Sequence, residues 1–330
     1  ELIAANVEGL TAAEIADLIE IPPKPELGDF AFPCFRLAKT MRKAPQMIAN
    51  DIKEAIGDVD FLQEIQVQGA YLNFFVKKEL FIETMVTASM ADDFGSSTEG
   101  NGQTICIDYS SPNVAKNFHV GHLRTTIIGN SLYKIYSKLG YKVVRINHLG
   151  DWGTQFGKLI VAYKAWGSEE AVKKDGVAEL MKLYVKFHEE AEKNPELNDE
   201  ARAWFAKMEH GDEEALKIWQ WFKDISLIEY KRTYDLLGMD FDYYLGESFY
   251  RDKTDDVVKR LTDANLLTES EGAKIVNLDA YDMAPCLILK NDGSSIYATR
   301  DIAAIFYRKE TYNFVKCLYV TGQEQKLHFA

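Results

Sequence analysis

Apolar residues near the middle of the chain follow first a strand pattern and then a helical one. The β-type run Thr104-Ile-Cys-Ile107 precedes a helical pattern that continues to Leu139. Between them lies the polar stretch Asp108-Tyr-Ser-Ser-Pro-Asn-Val-Ala-Lys-Asn-Phe-His-Val-Gly-His122, in which Pro112 and Asn113 break the strand. A strand, a polar turn and a helix start in this order are typical of a nucleotide site at the carboxyl end of a strand.

The first 94 residues predict a small domain of helices and a short sheet. Residues 1–20 look helical, with Thr11 and Glu14 as a capping box, and the proline-rich residues 21–25 end that helix. A second helix is expected after Gly28, a third starts at Pro45, and residues 61–67 and 71–76 read as a hairpin. A Gly/Ser-rich linker at residues 94–102 ends this α+β domain, 1–94.

Basic residues recur at roughly helical spacing in the expected second helix. They are Arg36, Lys39, Arg42 and Lys43. Such a pattern is either an ordinary solvated helix face or a patch for an RNA backbone, and the spacing leaves both interpretations open.

The remaining residues, 95–330, predict a doubly wound parallel α/β domain. Residues 103–165 alternate strand and helix, as a parallel sheet requires. Residues 166–237 form long charged helical patterns and, with the mixed stretch after them, an insertion over about 166–284. Strand character resumes at residues 286–289, a turn follows at 291–293, and a helix to Arg308 precedes a last strand at 317–321. The aromatic residues of the insertion lie on apolar faces and are expected in the core: Trp204, Trp219, Trp221 and Phe222.

Composition narrows the class of protein. The chain has 330 residues, no apolar run of membrane-spanning length and no signal peptide, and its first residue is Glu1, so we expect a trimmed start. Four dispersed cysteines indicate a reduced, cytoplasmic protein without a zinc site or disulfide framework: Cys34, Cys106, Cys286 and Cys317. The net charge of −13 means that charge alone does not support RNA binding.

The helix that begins near His119 is the strongest candidate for chemistry. The N-terminus of a helix attracts phosphate, and His119 and His122, three positions apart, can reach one phosphate together. Gly121 has no side chain and would let a flat ring lie against the backbone. Lys116 either neutralises phosphate oxygens as a point charge or is a solvated turn lysine.

Two sequence blocks carry a resemblance to a known family. Ser110-Ser-Pro-Asn-Val-Ala-Lys116 precedes His119-Val-Gly-His122, and Arg145-Ile-Asn-His-Leu-Gly-Asp-Trp-Gly-Thr-Gln-Phe-Gly157 follows. Together they closely resemble arginyl-tRNA synthetase, a class I aminoacyl-tRNA synthetase, over nearly the whole chain. The resemblance implies a Rossmann-like catalytic domain that activates L-arginine with ATP and transfers it to tRNA(Arg). Mg²⁺ would accompany the ATP phosphates, and no protein ligand set for a metal is visible.

The resemblance also implies which residues contact the substrates. Arginine recognition would fall to Asp108, Tyr297 and Asp301, with Ser111, Asn113, His122 and Gln325 holding the arginine backbone or orienting the site. Asp301 has an alternative role as a helix N-cap. The ATP site would include Lys116, His119, Gly121 and His122, and the tRNA elbow would meet Gln68, Tyr71 and Asn73, although Tyr71 could equally pack into the hairpin.

Where the sequence stops, the resemblance implies further parts. Relatives of this kind carry a second, lysine-rich signature loop and an anticodon-binding domain after the position of Ala330, so we expect the chain to be a fragment of a longer, monomeric enzyme. Two other classes remain: a small-molecule nucleotidylyltransferase with the same His-x-Gly-His motif, and a non-catalytic RNA-binding fragment. A cysteine-specific synthetase would need zinc-binding cysteines, which are missing.

Overall fold

The computed structural model describes residues 1–330 and divides the chain after Phe94 into two units, Glu1–Phe94 and Gly95–Ala330. None of the helices combines the length and the apolar composition that crossing a membrane requires. The four cysteines form no disulfide, and Cys34 and Cys106 are buried.

The first unit packs short helices on a three-stranded antiparallel sheet of order β1-β3-β2. Its elements are α1 (Ala12–Leu18), β1 (Phe30–Pro33), α2 (Ala38–Met41), α3 (Pro45–Ile56), β2 (Leu62–Gln68), β3 (Tyr71–Val76) and α4 (Lys78–Ser89). Thr11 and Glu14 form the predicted capping box, Pro45 is at the first turn of α3, and β2 and β3 form the predicted hairpin. Phe32, Ile48 and Leu72 are completely buried in the core of this unit.

The second helix does not follow Gly28-Asp-Phe30 as predicted, because the helical turns begin only at Cys34. Residues Phe30–Pro33 instead form β1, which pairs with β3 from Phe30↔Phe74 to Pro33↔Tyr71. Gly28 has φ +101°, and a Cβ there would lie 2.9 Å from the Phe74 carbonyl oxygen, so the chain enters the sheet edge as only glycine allows. The four basic residues that follow are exposed, but they lie on a 3-10 turn, the four-residue α2 and its end, and not on one helix face.

The second unit is built on a parallel sheet of order β10-β4-β5-β6. Its central elements are β4 (Thr104–Asp108), α5 (Val120–Lys138), β5 (Lys142–Asn147), α6 (Thr154–Trp166), β6 (Tyr243–Tyr244), α13 (Tyr297–Tyr312) and β10 (Lys316–Tyr319). The carboxyl end of β4 is flanked on both sides, because Asp108 is in register with Tyr319 of β10 and with Ile146 of β5. The predicted parallel α/β domain is therefore confirmed.

Between β5 and α13 the chain forms a helical layer and a separate hairpin sheet. The helices are α7 (Glu169–Asp175), α8 (Val177–Lys193), α9 (Glu196–Glu209), α10 (Glu213–Leu236), α11 (Glu247–Tyr250) and α12 (Thr254–Asp263), and a last short helix, α14 (Lys326–Phe329), follows β10. The strands β7 (Leu267–Ser270), β8 (Ala273–Val276) and β9 (Cys286–Leu289) form an antiparallel sheet. Trp219 and Phe222 are buried and Trp204 and Trp221 are half-buried against the core, as expected.

Two strands lie elsewhere than the sequence suggested. β6 falls inside the range expected for the insertion, yet it pairs with β5 through Ile146↔Tyr243 at the edge of the parallel sheet. β9 pairs antiparallel with β8, so the apolar run at residues 286–289 does not resume the parallel sheet. A four-residue apolar run fits any buried strand, and its partner is decided by the fold around it.

A buried ion pair joins the centre of the sheet to α13. Arg308 is fully buried, and its Nη2 lies 2.7 Å from Oδ2 of Asp108. The two residues are 200 positions apart, so this contact holds the carboxyl end of β4 against a helix from the far end of the sequence. The Nε and Nη1 atoms of Arg308 are buried without hydrogen-bond partners, which leaves Asp108 as its main source of compensation.

We expect Arg308→Met to destabilise the protein by about 3–5 kcal/mol, because it leaves the Asp108 carboxylate buried beside an apolar side chain. The free energy of unfolding, measured in urea, tests this. Arg260→Met is the matched control, since Arg260 forms a solvent-exposed pair with Glu310 of α13, and exposed pairs contribute little to stability. Equal losses in the two variants would contradict the importance of the buried pair.

Candidate active site

The two motif histidines form one stacked pair at the start of α5. His119 is the N-cap residue, and its Nδ1 accepts a hydrogen bond from the Gly121 amide at 3.1 Å. The Nδ1 of His122 accepts in turn from the His119 amide at 3.3 Å, and the ring centroids are 3.8 Å apart. Because both Nδ1 atoms accept from the backbone, each neutral ring carries its proton on Nε2. The pair therefore presents two N–H donors at a helix N-terminus.

His122 is uncharged near neutral pH, so it can donate a hydrogen bond but cannot form an ion pair. Burial, followed by the neighbouring His119 and Lys116, lowers the pKa of His122 to about 4. His122 is thus a neutral donor near pH 7. Lys116 is exposed, and its ammonium is the cation that the structure places near this pair.

The structure shows why a residue without a side chain is needed at Gly121. A Cβ at this position would lie 2.9 Å from Cε1 of His119, so a side chain would displace the capping imidazole. The flat ring that lies against Gly121 is therefore the ring of His119 itself. Glycine at this position keeps the His119 cap in place.

A second group of polar residues surrounds the end of β4. The Ser111 hydroxyl donates to Oδ1 of Asp108 at 2.7 Å and accepts from the His148 amide at 3.2 Å. Since Arg308 occupies the other oxygen, both oxygens of Asp108 have partners within the chain. Asp108 therefore organises the residues around it, because each of its carboxylate oxygens accepts a hydrogen bond from another part of the chain.

The network continues to Asp301 on α13. The Nε2 of His148 lies 3.4 Å from Oδ1 of Asp301, a distance typical of a long ion pair, and the Nε2 of His328 lies 2.7 Å from Oδ2. Burial alone would raise the pKa of Asp301, but the two histidines outweigh it and hold that pKa well below its usual range. Asp301 is therefore an ionised, largely buried carboxylate.

Tyr297 belongs to the same group. Its ring centroid is 4.8 Å from that of His328, so His328 contacts both Tyr297 and Asp301. The N-cap of α13 is Ile296, which rules out the alternative reading of Asp301 as a helix cap. Gln325 is exposed in the 3-10 turn before α14, and Asn113 is exposed in the turn before α5, where its carbonyl accepts from Tyr230.

A cavity of about 640 Å³ opens beside Tyr297. Its wall includes Trp152, Gln155, Tyr297, Glu247 and Arg300. Oε2 of Glu247 accepts from Nε and Nη2 of Arg300 at 3.0 and 2.9 Å, while Oε1 has no hydrogen-bond partner. Burial raises the pKa of Glu247 even though Arg300 opposes this. The cavity thus offers a carboxylate oxygen next to aromatic side chains, which suits a planar cation.

Sequence reasoning missed four residues of this region: His148, Glu247, Arg308 and His328. His148 lies inside the signature block 145–157, and its histidine type was a signal that could have been used. Arg308, which follows the apolar run at residues 302–307 of α13, was a second signal. Glu247 and His328 gave none, because only the fold brings them to the site.

The three residues of the first unit that were expected to contact tRNA differ in their exposure to solvent. Gln68 is exposed, and Tyr71 is half-buried with its ring edge-to-face with Phe35 at 5.9 Å. Asn73 has only 4% of its surface exposed, so it does not lie on an open face of the sheet. We remove Asn73 from the expected tRNA surface for that reason.

The comparison with protein families assigns this parallel sheet and its histidine-capped helix to a class I synthetase catalytic domain. The model of the class I (R) tRNA synthetase catalytic domain matches residues 85–330, and that of the arginyl-tRNA synthetase N-terminal domain matches residues 1–76. The chain belongs to the arginyl-tRNA synthetase family.

Similar proteins agree with this assignment. The arginine–tRNA ligases of Alkaliphilus metalliredigens and Clostridium perfringens are 57% and 58% identical to the chain over its whole length, which spans 59% and 58% of theirs. The chain therefore spans less than two thirds of the curated relatives it matches. Among solved structures, the arginyl-tRNA synthetase of Plasmodium falciparum has 26% identity and a TM-score of 0.64, covering 94% of this chain and 56% of that one.

We expect the stabilising effect of His148 to depend on pH. Burial and the nearby Arg308 both lower the pKa of His148. Asp301 and Asp108 raise it by more, so the pKa of His148 is raised overall. A raised pKa adds stability that is fully present below the unfolded value of about 6.5 and lost as pH rises through the folded value. The difference in unfolding free energy between the parent and His148→Gln should therefore shrink as the pH rises from about 6 to about 9.

His188→Gln provides a control of opposite sign. Burial and then Lys158 lower the pKa of His188, so its contribution is lost as pH falls. Thermal unfolding of the three proteins across pH measures both slopes. A His148→Gln difference that does not change with pH would contradict the charged pairing with Asp301.

Proposed function

We propose that the protein containing this chain is an arginine–tRNA ligase, which activates L-arginine with ATP and transfers the arginyl group to tRNA(Arg). The observation that carries the proposal is the ionised carboxylate of Asp301, at the end of a network that starts from Asp108 on β4. The histidine pair follows the same strand. The end of β4 is thus connected both to a carboxylate that would bind a guanidinium and to the histidine pair that would bind phosphate.

The guanidinium of arginine would bind between α13 and the cavity wall. Asp301 supplies an ionised carboxylate, Tyr297 supplies an aromatic ring, and Glu247 supplies the free Oε1. Carboxylates bind a guanidinium through paired, charge-assisted hydrogen bonds, and partial burial strengthens them. Asp108 has the different role of holding Ser111 and Arg308 in place.

The arginine backbone would lie toward the start of α5. Ser111, Asn113, His122 and Gln325 remain the proposed contacts for its amino and carboxylate groups. Gln325 is open to solvent here, so its contact with arginine depends on a conformation in which the turn before α14 closes onto the substrate.

In the first step, a carboxylate oxygen of arginine attacks the α-phosphorus of ATP, and the bond to the bridging oxygen breaks to release pyrophosphate. His119 and His122 donate from Nε2 to phosphate oxygens as their charge grows, and Lys116 supplies a positive charge. Positioning and charge stabilisation of this kind are most effective when the donors are already oriented, as the backbone hydrogen bonds to both Nδ1 atoms ensure.

In the second step, a terminal ribose hydroxyl of tRNA attacks the carbonyl carbon of arginyl-adenylate, its proton is lost, and AMP leaves. We propose that the first unit contacts tRNA near Gln68 and Tyr71. No group of three or more His, Cys, Asp or Glu side chains is arranged to hold a metal ion, so Mg²⁺ would arrive bound to ATP as part of that substrate. A cytoplasmic, monomeric enzyme remains our expectation.

Membership of the family supports the ligase over the two alternatives that the sequence left open. A small-molecule nucleotidylyltransferase does not account for the match of residues 1–76 to a synthetase N-terminal domain. A non-catalytic RNA-binding role does not account for the ionised Asp301, which the His148 and Ser111 contacts connect to the end of β4.

We expect Asp301→Ala in the natural full-length protein to raise the KM for arginine by at least about 30-fold, which corresponds to about 2 kcal/mol for a charge pair that has lost one partner. The KM for ATP should change little. The measurement is ATP–pyrophosphate exchange in the presence of tRNA, with arginine and with lysine, which the parent should reject by roughly 10⁴–10⁵.

Two further variants sharpen this test. Asp301→Asn keeps the shape and removes the charge, so it should resemble the alanine variant. Glu310→Ala, on the outer surface of the same helix, should behave as the parent. An unchanged arginine KM in both Asp301 variants would refute the assignment, and parent exchange that does not depend on arginine would refute the proposed function.

We expect His122→Ala to lower the rate of adenylate formation by roughly 10²–10³, with a smaller effect on ATP binding, because its donor matters most as phosphate charge develops. Single-turnover adenylate formation measures this. His188→Ala, a histidine packed against Tyr184 on α8, should react at the parent rate. A parent-like rate in His122→Ala would show that the donor is not used.

A further inference from the structure

One face of α10 is lined with polar side-chain atoms that reach the loops of the active site. The residues recur at helical spacing and are called the α10 stripe here: Trp219, Lys223, Ser226, Tyr230 and Tyr234. At its first end, Trp219 Nε1 donates to the Asp151 carbonyl at 2.7 Å, and Lys223 Nζ lies 2.6 Å from Oδ2 of the same residue. Asp151 is fully buried in the loop after β5.

The other end of the stripe holds the loop that precedes α5. The Ser226 hydroxyl accepts from the Ala115 amide at 3.0 Å. The Tyr230 hydroxyl lies 2.6 Å from the Asn113 carbonyl and 2.7 Å from the Lys116 carbonyl, so its proton is held between two acceptors. Tyr234 completes the row with its hydroxyl 2.7 Å from Oγ of Ser110 and 3.0 Å from Nδ2 of Asn147, which donates to it.

The loop before α5 has a backbone that needs such support. Three non-glycine residues have positive φ: Ser110 at 69°, Ser111 at 46° and Ala115 at 60°. Side chains disfavour this region, and such residues persist only where their surroundings hold them. Within this loop, the Val114 amide donates to the Gly150 carbonyl and the Ala115 amide donates to Ser226. The carbonyls of Asn113 and Lys116 accept from Tyr230.

We propose that Tyr230 is a positioning residue for Lys116, so that the helical insertion completes the phosphate site from the outside. This rests on the proposed function, in which the Lys116 ammonium stabilises charge on the α-phosphate. The Tyr230 hydroxyl fixes the carbonyl of Lys116, and with it the direction in which the lysine side chain leaves the loop.

Packing and hydrogen bonding can be separated at this residue. The Tyr230 ring is fully buried and lies near Phe118, with ring centroids 6.3 Å apart. Phenylalanine at position 230 would keep this ring and remove only the hydroxyl. Tyr184→Phe is the matched control, because Tyr184 lies on another helix of the insertion and its hydroxyl has no hydrogen-bond partner.

The test is a double-mutant cycle of Tyr230→Phe and Lys116→Ala in the natural full-length protein. The readout is kcat for ATP–pyrophosphate exchange per active site, with KM for arginine and thermal unfolding followed in parallel. We expect Tyr230→Phe to lower kcat by roughly 10–100-fold, the scale of a misplaced catalytic group, with little change in arginine KM. In the Lys116→Ala background the same change should cost less than about 2-fold.

Each outcome has one meaning. A loss from Tyr230→Phe that is equally large in both backgrounds, or no larger than the loss from Tyr184→Phe, overturns this inference while the proposed function stands. Parent-like exchange by Lys116→Ala removes Lys116 from the proposed mechanism and this inference with it. Where Tyr230→Phe does not fold, Ser226→Ala, which unpairs the Ala115 amide, is placed in the same cycle and decides by the same criterion.

Discussion

The ion pair between Asp108 and Arg308 is the contact on which the arrangement of the site depends. A buried arginine is costly to desolvate, and a buried pair is on average no more stabilising than apolar residues of the same size. Its effect here is therefore on geometry. Arg308 binds Asp108 at 2.7 Å, and the Ser111 hydroxyl, which donates to the same carboxylate, accepts from the His148 amide, so the end of β4 and the first residue after β5 are held together. From these two points the network extends to Ser111 and Asp301.

The loops between those strands and their helices are supported from outside the sheet. Parallel sheets place their functional loops at the carboxyl ends of strands, where no regular secondary structure satisfies the backbone. In this chain the α10 stripe supplies the missing partners for both loops, at Asp151 and at residues 110–116. The helical insertion is thus integral to the site, and its apolar side packs in the same core as the sheet.

Local patterns predicted the parts of the fold that local forces determine. The strand, turn and helix around residues 104–139 have distinct periodicities, and the histidine pair follows from the spacing of one helix turn. The segment after Gly28 was misread because a four-residue strand bounded by glycine and proline has no periodicity of its own. Its pairing with β3 decides its structure. Glu247 and His328 could not be predicted, since each reaches the site only through tertiary contacts.

The start of α5 and the region of α13 favour ligands of opposite charge. The start of α5 offers a helix N-terminus, two neutral N–H donors and the Lys116 ammonium, all of which favour anions. The region of α13 offers the ionised Asp301 and the unpaired oxygen of Glu247, which favour a cation. The buried Arg308 guanidinium neutralises the charge of Asp108 at the end of β4. Asp108 therefore adds little to the negative charge of the site, and the carboxylates that remain for a guanidinium are those of Asp301 and Glu247.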